Sequence, residues 1–254
     1  MKLQNSFIAA SGVGEKTEQK LWKQGVTHWD DFEEDLLGPK TGRNVREFVD
    51  AARERLDAGD ADFFGQNLPS GSLWRAYDNF ADSVCFFDIE TTGLDSARHD
   101  VTTVSLHRGG DTRTYVQGKD LSATALRDEF AESSMLVSFN GKRFDQPFLE
   151  DSFDLDVTTP HLDLMYTCKQ VGLSGGLKNV EREVGIDRAD DDVDGREAVR
   201  LWHRYDRNED DAALDRLVKY NREDTENLRD LLEHVHGSLR ADVFDPYVPE
   251  DAQR

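Results

Sequence analysis

Residues 85–94 read CFFDIETTGL, and the fold of the chain turns on its Asp88-Ile89-Glu90 step. The apolar run from Val84 to Phe87 ahead of it predicts a strand inside a sheet. Alternate residues of a strand point to one face, so Asp88 and Glu90 emerge together. Paired carboxylates on an interior strand are costly unless cations stand between them. The other reading ends the strand at Asp88 and leaves both acids solvated in a turn; burial of the run up to Phe87 weighs against it. Thr91, Thr92 and Gly93 then form the turn and bring hydroxyls and backbone amides close by.

Two distant stretches supply further acids. In VSFNGKRFDQPFL (137–149), a short apolar strand ends at Asn140 and Asp145 opens the next helix. Taken alone, an aspartate at a helix start reads as a cap. Lys142 and Arg143 beside it suit a substrate phosphate, or are surface charges. In KYNREDTENL (219–228), Tyr220 and Asp224 lie four apart, on one face of a helix. Taken alone, they read as a packed tyrosine and a solvated aspartate. Gathered in one place, Asp88, Glu90, Asp145 and Asp224 repel one another unless cations separate them. An all-oxygen donor set suits two divalent cations, Mg²⁺ or Mn²⁺, serving phosphodiester cleavage.

Around these stretches the pattern is α/β. VTTVSLH and TRTYVQ read as strands after the first, and MLVSFN as a fourth. ATALRDEFAES, FDQPFLEDSF, LKNVEREVG, REAVRLWHRY and the stretch from Asp211 to Val235 read as helices. Three consecutive strands followed by alternating helix and strand predict a mixed sheet flanked by helices. The main domain is expected over 83–236. Ahead of it, 1–57 is expected as a small helical module. There Gly12-Val13-Gly14 precedes an amphipathic helix carrying Leu21 and Trp22, which Gly25 ends. Residues 58–82 are expected as a connector whose rings, Phe63, Phe64, Trp74, Tyr77 and Phe80, pack onto the main domain. Base stacking is the second reading of those rings. Residues 237–254 are expected as a polar tail, surface-bound or loose.

The order Asp-x-Glu-Thr, Asn-x4-Asp, Tyr-x3-Asp resembles the three exonuclease motifs of the DEDD (DnaQ-like) family, in the ribonuclease-H-like superfamily. The tyrosine four residues before the last aspartate marks the DEDDy branch; the position of the alternative histidine is Lys219 here. FFDIETTGL, FNGKRFDQPFL, HLDLMY, GLSGGLKNVEREVGI and YNREDTENL together resemble the YprB-type predicted exonucleases, over nearly the whole chain. The resemblance implies a 3′–5′ exonuclease that uses two metal ions about 3.5–4 Å apart. Asp88, Glu90 and Asp224 would hold the first ion, with Asp88 bridging to the second. Asp145 would act through a water or at the edge of the metal site. Tyr220 would orient the attacking water, since an unperturbed phenol with a pKa of about 10 is a poor base at neutral pH.

Other features carry less weight. His161 and Asp163 sit two apart, as a metal pair or, for Asp163, a supporting residue. Lys178 in SGGLKNV suits a phosphate at a helix start, or simply begins the helix. The front end resembles a helix-hairpin-helix element, which implies that Gly12 and Gly14 offer backbone amides to a nucleic-acid phosphate without reading sequence, helped by Lys16 and Lys20. A structural role is the alternative. Rival functions are a structure-selective endonuclease on the same sheet and a non-catalytic nucleic-acid-binding scaffold. Tyr220 weighs against the scaffold, because a metal kept for stability needs no phenol.

Across 254 residues, 52 acidic side chains stand against 31 basic ones, a formal net charge of −21. The aromatic and apolar runs oppose a disordered acidic chain. Adaptation to molar salt is the reading adopted: at about 1 M the Debye length is about 3 Å, so global repulsion of nucleic acid is screened. DNA is the expected partner in preference to RNA. Cys85 and Cys168 are too few for a disulfide framework and are expected as reduced packing residues. A cytoplasmic protein is expected, since no apolar run has membrane-spanning length and the first residues lack a secretory h-region.

Overall fold

The structure, a computed structural model, describes residues 1–189 and 192–248; the end of the expected tail, from 249 on, lies outside the described residues. Two compact units are present: Met1–Ala81 with the chain from Val235 onward, and Asp82–His234. Among the described residues, no helix is long and apolar enough to cross a membrane.

The first unit holds α1 (Glu15–Lys23), α2 (Pro39–Asp57), α3 (Ala61–Asn67) and α4 (Tyr77–Phe80). Leu21, Trp22, Trp29, Phe32, Val45, Val49, Phe64 and Trp74 are buried in it. Gly14 caps α1, and Gly12, at φ +88°, turns the chain into it; both are exposed, as are Lys16 and Lys20. A helix flanks this hairpin on one side only, because Leu3–Asn5 makes just one 3-10 turn before it. The reason is local. The indoles of Trp22 and Trp29 donate to the carbonyls of Asn5 and Ser6, both at 2.8 Å. Glu18 Oε1 accepts the amides of Phe7 and Ile8, at 2.7 and 3.0 Å. Side chains thus take the backbone groups that a helix would have paired within itself. Glu18 is held in turn by Arg75 at 2.7 Å, and both are buried.

Two expectations change here. Of the rings of residues 58–82, expected against residues 83–236, Phe63 stacks on Phe48 at 6.1 Å and Phe64 lies 6.0 Å from Phe80, whereas Trp74 and Tyr77 meet His236 at 5.7 and 5.4 Å. The segment is mostly helical, so its apolar spacing serves local packing. The tail expected from 237 begins inside a helix, α10 (Asp211–Val243). Leu239 and Phe244 are buried, and Phe244 and Tyr247 pack on Trp22 at 5.3 and 5.5 Å. Those apolar contacts draw a mostly polar stretch into the fold.

The second unit is a five-stranded sheet in the order β3-β2-β1-β4-β5, with β1 (Val84–Thr91), β2 (Val101–Arg108), β3 (Asp111–Val116), β4 (Met135–Ser138) and β5 (His161–Asp163). β1 is antiparallel to β2 and parallel to β4, and β5 extends the parallel side. The mixed sheet is the one predicted, with β5 added; three residues are too few to show a period in sequence. The helices are α5 (Ala123–Ala131), α6 (Asp145–Phe153), α7 (Leu164–Gln170), α8 (Leu177–Val184), α9 (Gly195–Asn208) and α10.

β1 is central and alternates. Cys85, Phe87 and Ile89 enter a core with Val104, Leu106, Leu126, Phe130, Phe148 and Leu149, beneath α5 and α6. Each large side chain fully buried there stabilises the fold by about 1.5–3 kcal/mol. Asp88 and Glu90 fall on the opposite face, toward α10, whose Leu214, Leu217 and Tyr220 pack with Leu201 and Trp202 of α9. Both cysteines are free and buried, and burial pushes each thiol up to about 12.

Candidate active site

Register explains where the site opens. β4 pairs with β1 only along Val84–Phe86, so the end of β1 runs past its parallel neighbour. Such a gap at the carboxyl ends of parallel strands is where open α/β sheets bind ligands. Asp145, the first residue of α6, fills part of it: its Oδ1 accepts the Ile89 amide at 3.2 Å. Asp145 thus bonds the strand as well as its own amide at the start of α6. From the other side, α10 presents Tyr220, Asn221 and Asp224. One carboxylate oxygen from each of Asp88, Glu90 and Asp224 lies within 4.8 Å of the others. Opposite oxygens around one magnesium ion are about 4 Å apart, given bonds of 2.0–2.1 Å, so the cluster has the dimensions of a cation site.

The electrostatics fit the same group. Burial drives Asp88 well above the usual carboxylate range, and Asp224, Asp145 and Glu90 push it further. Glu90 is raised by burial and by Asp224 and Asp145. Burial lifts Asp145 to about 7, against the Ile89 hydrogen bond that lowers it. Asp224 is raised by burial although Arg188 and the Tyr220 hydroxyl pull it back. Negative charge is thus packed more densely than the enclosure tolerates, a deficit that protons or cations relieve. The donor atoms are all oxygen, which suits Mg²⁺ or Mn²⁺.

The remaining candidates fall at varying distances from this cluster. Thr91 Oγ1 donates to the Gly93 carbonyl at 2.7 Å and shapes the turn after β1. Asn140 lies past β4, at φ +66°, and its amide and that of Lys142 donate to the two oxygens of Asp163, at 2.8 and 3.2 Å. Asp163 therefore ties down the loop that delivers Asp145. Gly141 in that loop is required by space, since a Cβ would stand 2.1 Å from Ser138 Oγ. The side chains of Lys142 and Arg143 are exposed. His161 lies between Ser138 Oγ at 2.7 Å and Gln146 Oε1 at 2.8 Å, and burial keeps it neutral down to about 3. Both ring nitrogens are thus engaged, one by β4 and one by α6. Lys178, near the start of α8, donates to the Val193 carbonyl, with its ammonium 5.4 Å from the centre of the Tyr220 ring. Gly12 and Gly14 belong to the first unit.

Two residues at the cluster escaped the sequence reading. Asn221 Nδ2 donates to Asp88 Oδ2 at 2.7 Å. Arg188 pairs with both Asp224 and Glu181. Asn221 adjoins Tyr220, which was a usable signal; nothing local marks Arg188.

A family model described as RNase_H superfamily (RNase_H_2) matches residues 85–236. The chain belongs to the RNase H superfamily. No curated protein matches the sequence. Among solved structures, a family B DNA polymerase from the hyperthermophilic archaeon Pyrobaculum calidifontis is similar at 18% identity and a TM-score of 0.48, over 59% of this chain and 24% of that one. Brucella melitensis NrnC bound to pGG is similar at 19% identity and a TM-score of 0.45, over 65% of this chain and 78% of that one. The present chain thus spans about a quarter of the polymerase.

Two clefts border the superfamily sheet. One, of about 650 Å³, is lined by Glu90, Thr91, Leu94, Phe144, Arg196 and Arg200 among others, and Leu94 is 85% exposed at its side. It combines a carboxylate of the cluster, apolar surface, two guanidinium groups and a second acid, Asp194. The other, of about 740 Å³, includes Asp100, Asp206 and Glu209, whose charge opposes a phosphate.

Proposed function

We propose that the chain is a metal-dependent exonuclease of DEDDy, YprB-like type that removes nucleotides from the 3′ end of nucleic acid, DNA in preference to RNA. One observation carries this reading: Asp88, Glu90 and Asp224 bring ligand oxygens within 4.8 Å of one another on an RNase H-superfamily sheet, beside Asp145 and Tyr220. Asp88, Glu90 and Asp224, with Asp145 at the edge, would hold two divalent cations, Mg²⁺ or Mn²⁺. Bound there, such ions lower the pKa of an attacking water and offset charge on the leaving oxygen.

The chain's own residues do the rest. Tyr220 orients the water. Its phenol is pushed above its ordinary value by burial and then by Asp224, Glu90 and Asp88, so in the metal-free site it stays protonated at neutral pH. The cleft beside Glu90 receives the terminal nucleoside between Leu94 and Phe144, with Arg196 and Arg200 meeting phosphate. Thr91, Asn140, Lys142, Arg143 and Lys178 surround the scissile end. Gly12 and Gly14, with Lys16 and Lys20, offer a nucleic-acid phosphate contact in the first unit. Molar salt is the working medium, where the net charge of −21 is screened.

The test uses 5′-labelled single-stranded DNA, recessed and blunt duplexes, and RNA of matched sequence, in molar KCl with Mn²⁺, Mg²⁺ or EDTA. A metal-dependent ladder shortening from the 3′ end, lost in Asp88→Ala, is the expected result. Discrete internal cuts would replace the exonuclease by an endonuclease. Binding without cleavage by folded protein would leave only a scaffold.

A further inference from the structure

Arg188 lies outside all three acid-bearing stretches, yet its guanidinium reaches the cluster. Nη2 donates to Asp224 Oδ1 and Nη1 to Glu181 Oε2. Glu181 Oε1 accepts from Asn227 Nδ2 at 3.0 Å. Asn227 and Asp224 both stand on α10, so the sequence of contacts leaves that helix, crosses α8 and returns to it. The guanidinium carbon also sits 5.7 Å from the centre of the Tyr220 ring. The Arg188 side chain is 3% exposed and that of Glu181 is fully buried.

A buried ion pair is weak as a device for stability, because desolvating two charges offsets most of their attraction. Its value here is directional. An arginine fork fixes two N–H bonds at a set angle, which a lysine's single ammonium does not. We infer that Arg188, braced by Glu181, is a positioning residue for the proposed metal site: it holds Oδ1 of Asp224 and so fixes the carboxylate that meets Asp88 and Glu90. The inference rests on the metal-dependent reading above. It adds a residue that touches neither ion nor substrate and acts through Asp224.

Arg188 and Glu181 carry opposite formal charges, although Arg188 acts on Asp224 more strongly than Glu181 does. Exchanging both for glutamine leaves the formal net charge unchanged and removes the brace, whereas Arg188→Lys keeps the charge next to Asp224 as well. Mn²⁺ binding is measured on metal-free protein without nucleic acid, by the electron paramagnetic resonance signal of the free ion, with circular dichroism to confirm folding. Partners of metal ligands typically contribute 10- to 100-fold in affinity. The Kd for Mn²⁺ should therefore rise about 10-fold in Glu181→Gln/Arg188→Gln. Arg188→Lys, which keeps the charge and loses the fork, should show a rise of about the same size and decides the matter if the double variant does not fold. An unchanged Kd in folded variants would overturn the inference and leave the nuclease reading intact. A lower Kd would overturn it too, marking Arg188 as a competitor of the ion. Wild-type protein that binds Mn²⁺ no better than Asp224→Asn would remove the metal site itself, and the inference with it.

Discussion

The side-chain amide of Asn221 lies 2.7 Å from Oδ2 of Asp88, linking α10 to the central strand. The same nitrogen reaches the Asp88 carbonyl at 3.2 Å, and Asn221 Oδ1 accepts from Thr103 Oγ1 at 2.9 Å. Asn221 is fully buried, so β1 and β2 supply the partners that water cannot. Asn221→Leu, close in size and without hydrogen bonds, strands the Thr103 hydroxyl and frees Asp88 to turn. A loss of about 1–3 kcal/mol is expected in urea unfolding, with turnover reduced as well. Equal midpoints for variant and wild type would mean that the amide orients nothing.

Tyr220→Phe removes one hydroxyl from a ring whose packing survives. Turnover should fall by about 100-fold, the lower end of the range for a positioned proton-handling group. Mn²⁺ binding should survive, because the carboxylates remain, with at most the ~10-fold loss of one ligand partner, since the hydroxyl also reaches Asp224; abolished binding would count against this. Burial, the largest influence on the phenol, holds it above its ordinary pKa whether or not ions are bound, so the pH–rate profile of the variant should keep its shape. A lost alkaline limb in Tyr220→Phe would restore the phenol as a base.

Stability without metal should depend on pH with a sign opposite to that of a salt-bridged acid. A carboxyl whose pKa is higher folded than unfolded binds more protons in the folded state, so stability falls as pH rises. For Asp145, raised from 3.8 to about 7, the loss runs between those values, and Asp88 and Glu90, raised well above their ordinary values, add to it. His161, held neutral down to about 3, acts the other way, costing stability as pH drops below 6.5. The difference in Tm with and without Mg²⁺ isolates the cluster. That difference should be larger at pH 8 than at pH 5, since protons and ions compete for the same oxygens. A shift independent of pH would mean that ions bind elsewhere.

The acidic balance predicts a salt dependence. With a net charge of −21, self-repulsion opposes the compact state at low ionic strength. Raising KCl from 0.1 to 1 M shortens the Debye length from about 10 to about 3 Å. Tm should climb over that range, and a flat profile would set aside adaptation to molar salt.

The mixed sheet was legible because β1, β2 and β4 each carry an apolar run bounded by turn residues, and α9 and α10 keep a helical apolar period. His161–Asp163 was not, being too short to show a period. The chain before Gly12 looked like one arm of a hairpin, but Trp22, Trp29 and Glu18 claim its backbone from farther along. Gly237 looked like the start of a tail, yet Leu239 and Phe244 beyond it find an apolar face.

Sequence by itself determined what depends on spacing within one element. Two residues along a strand put Asp88 and Glu90 on one face, and four along a helix align Tyr220 with Asp224, whatever the rest of the chain does. Tertiary structure alone decided which groups meet across elements. Asn221 finds Asp88 from 133 residues away, and Arg188 finds Asp224 from 36. The physical reason is that a hydrogen bond between distant residues leaves no period or local preference in sequence; it exists only once burial has removed water from both partners.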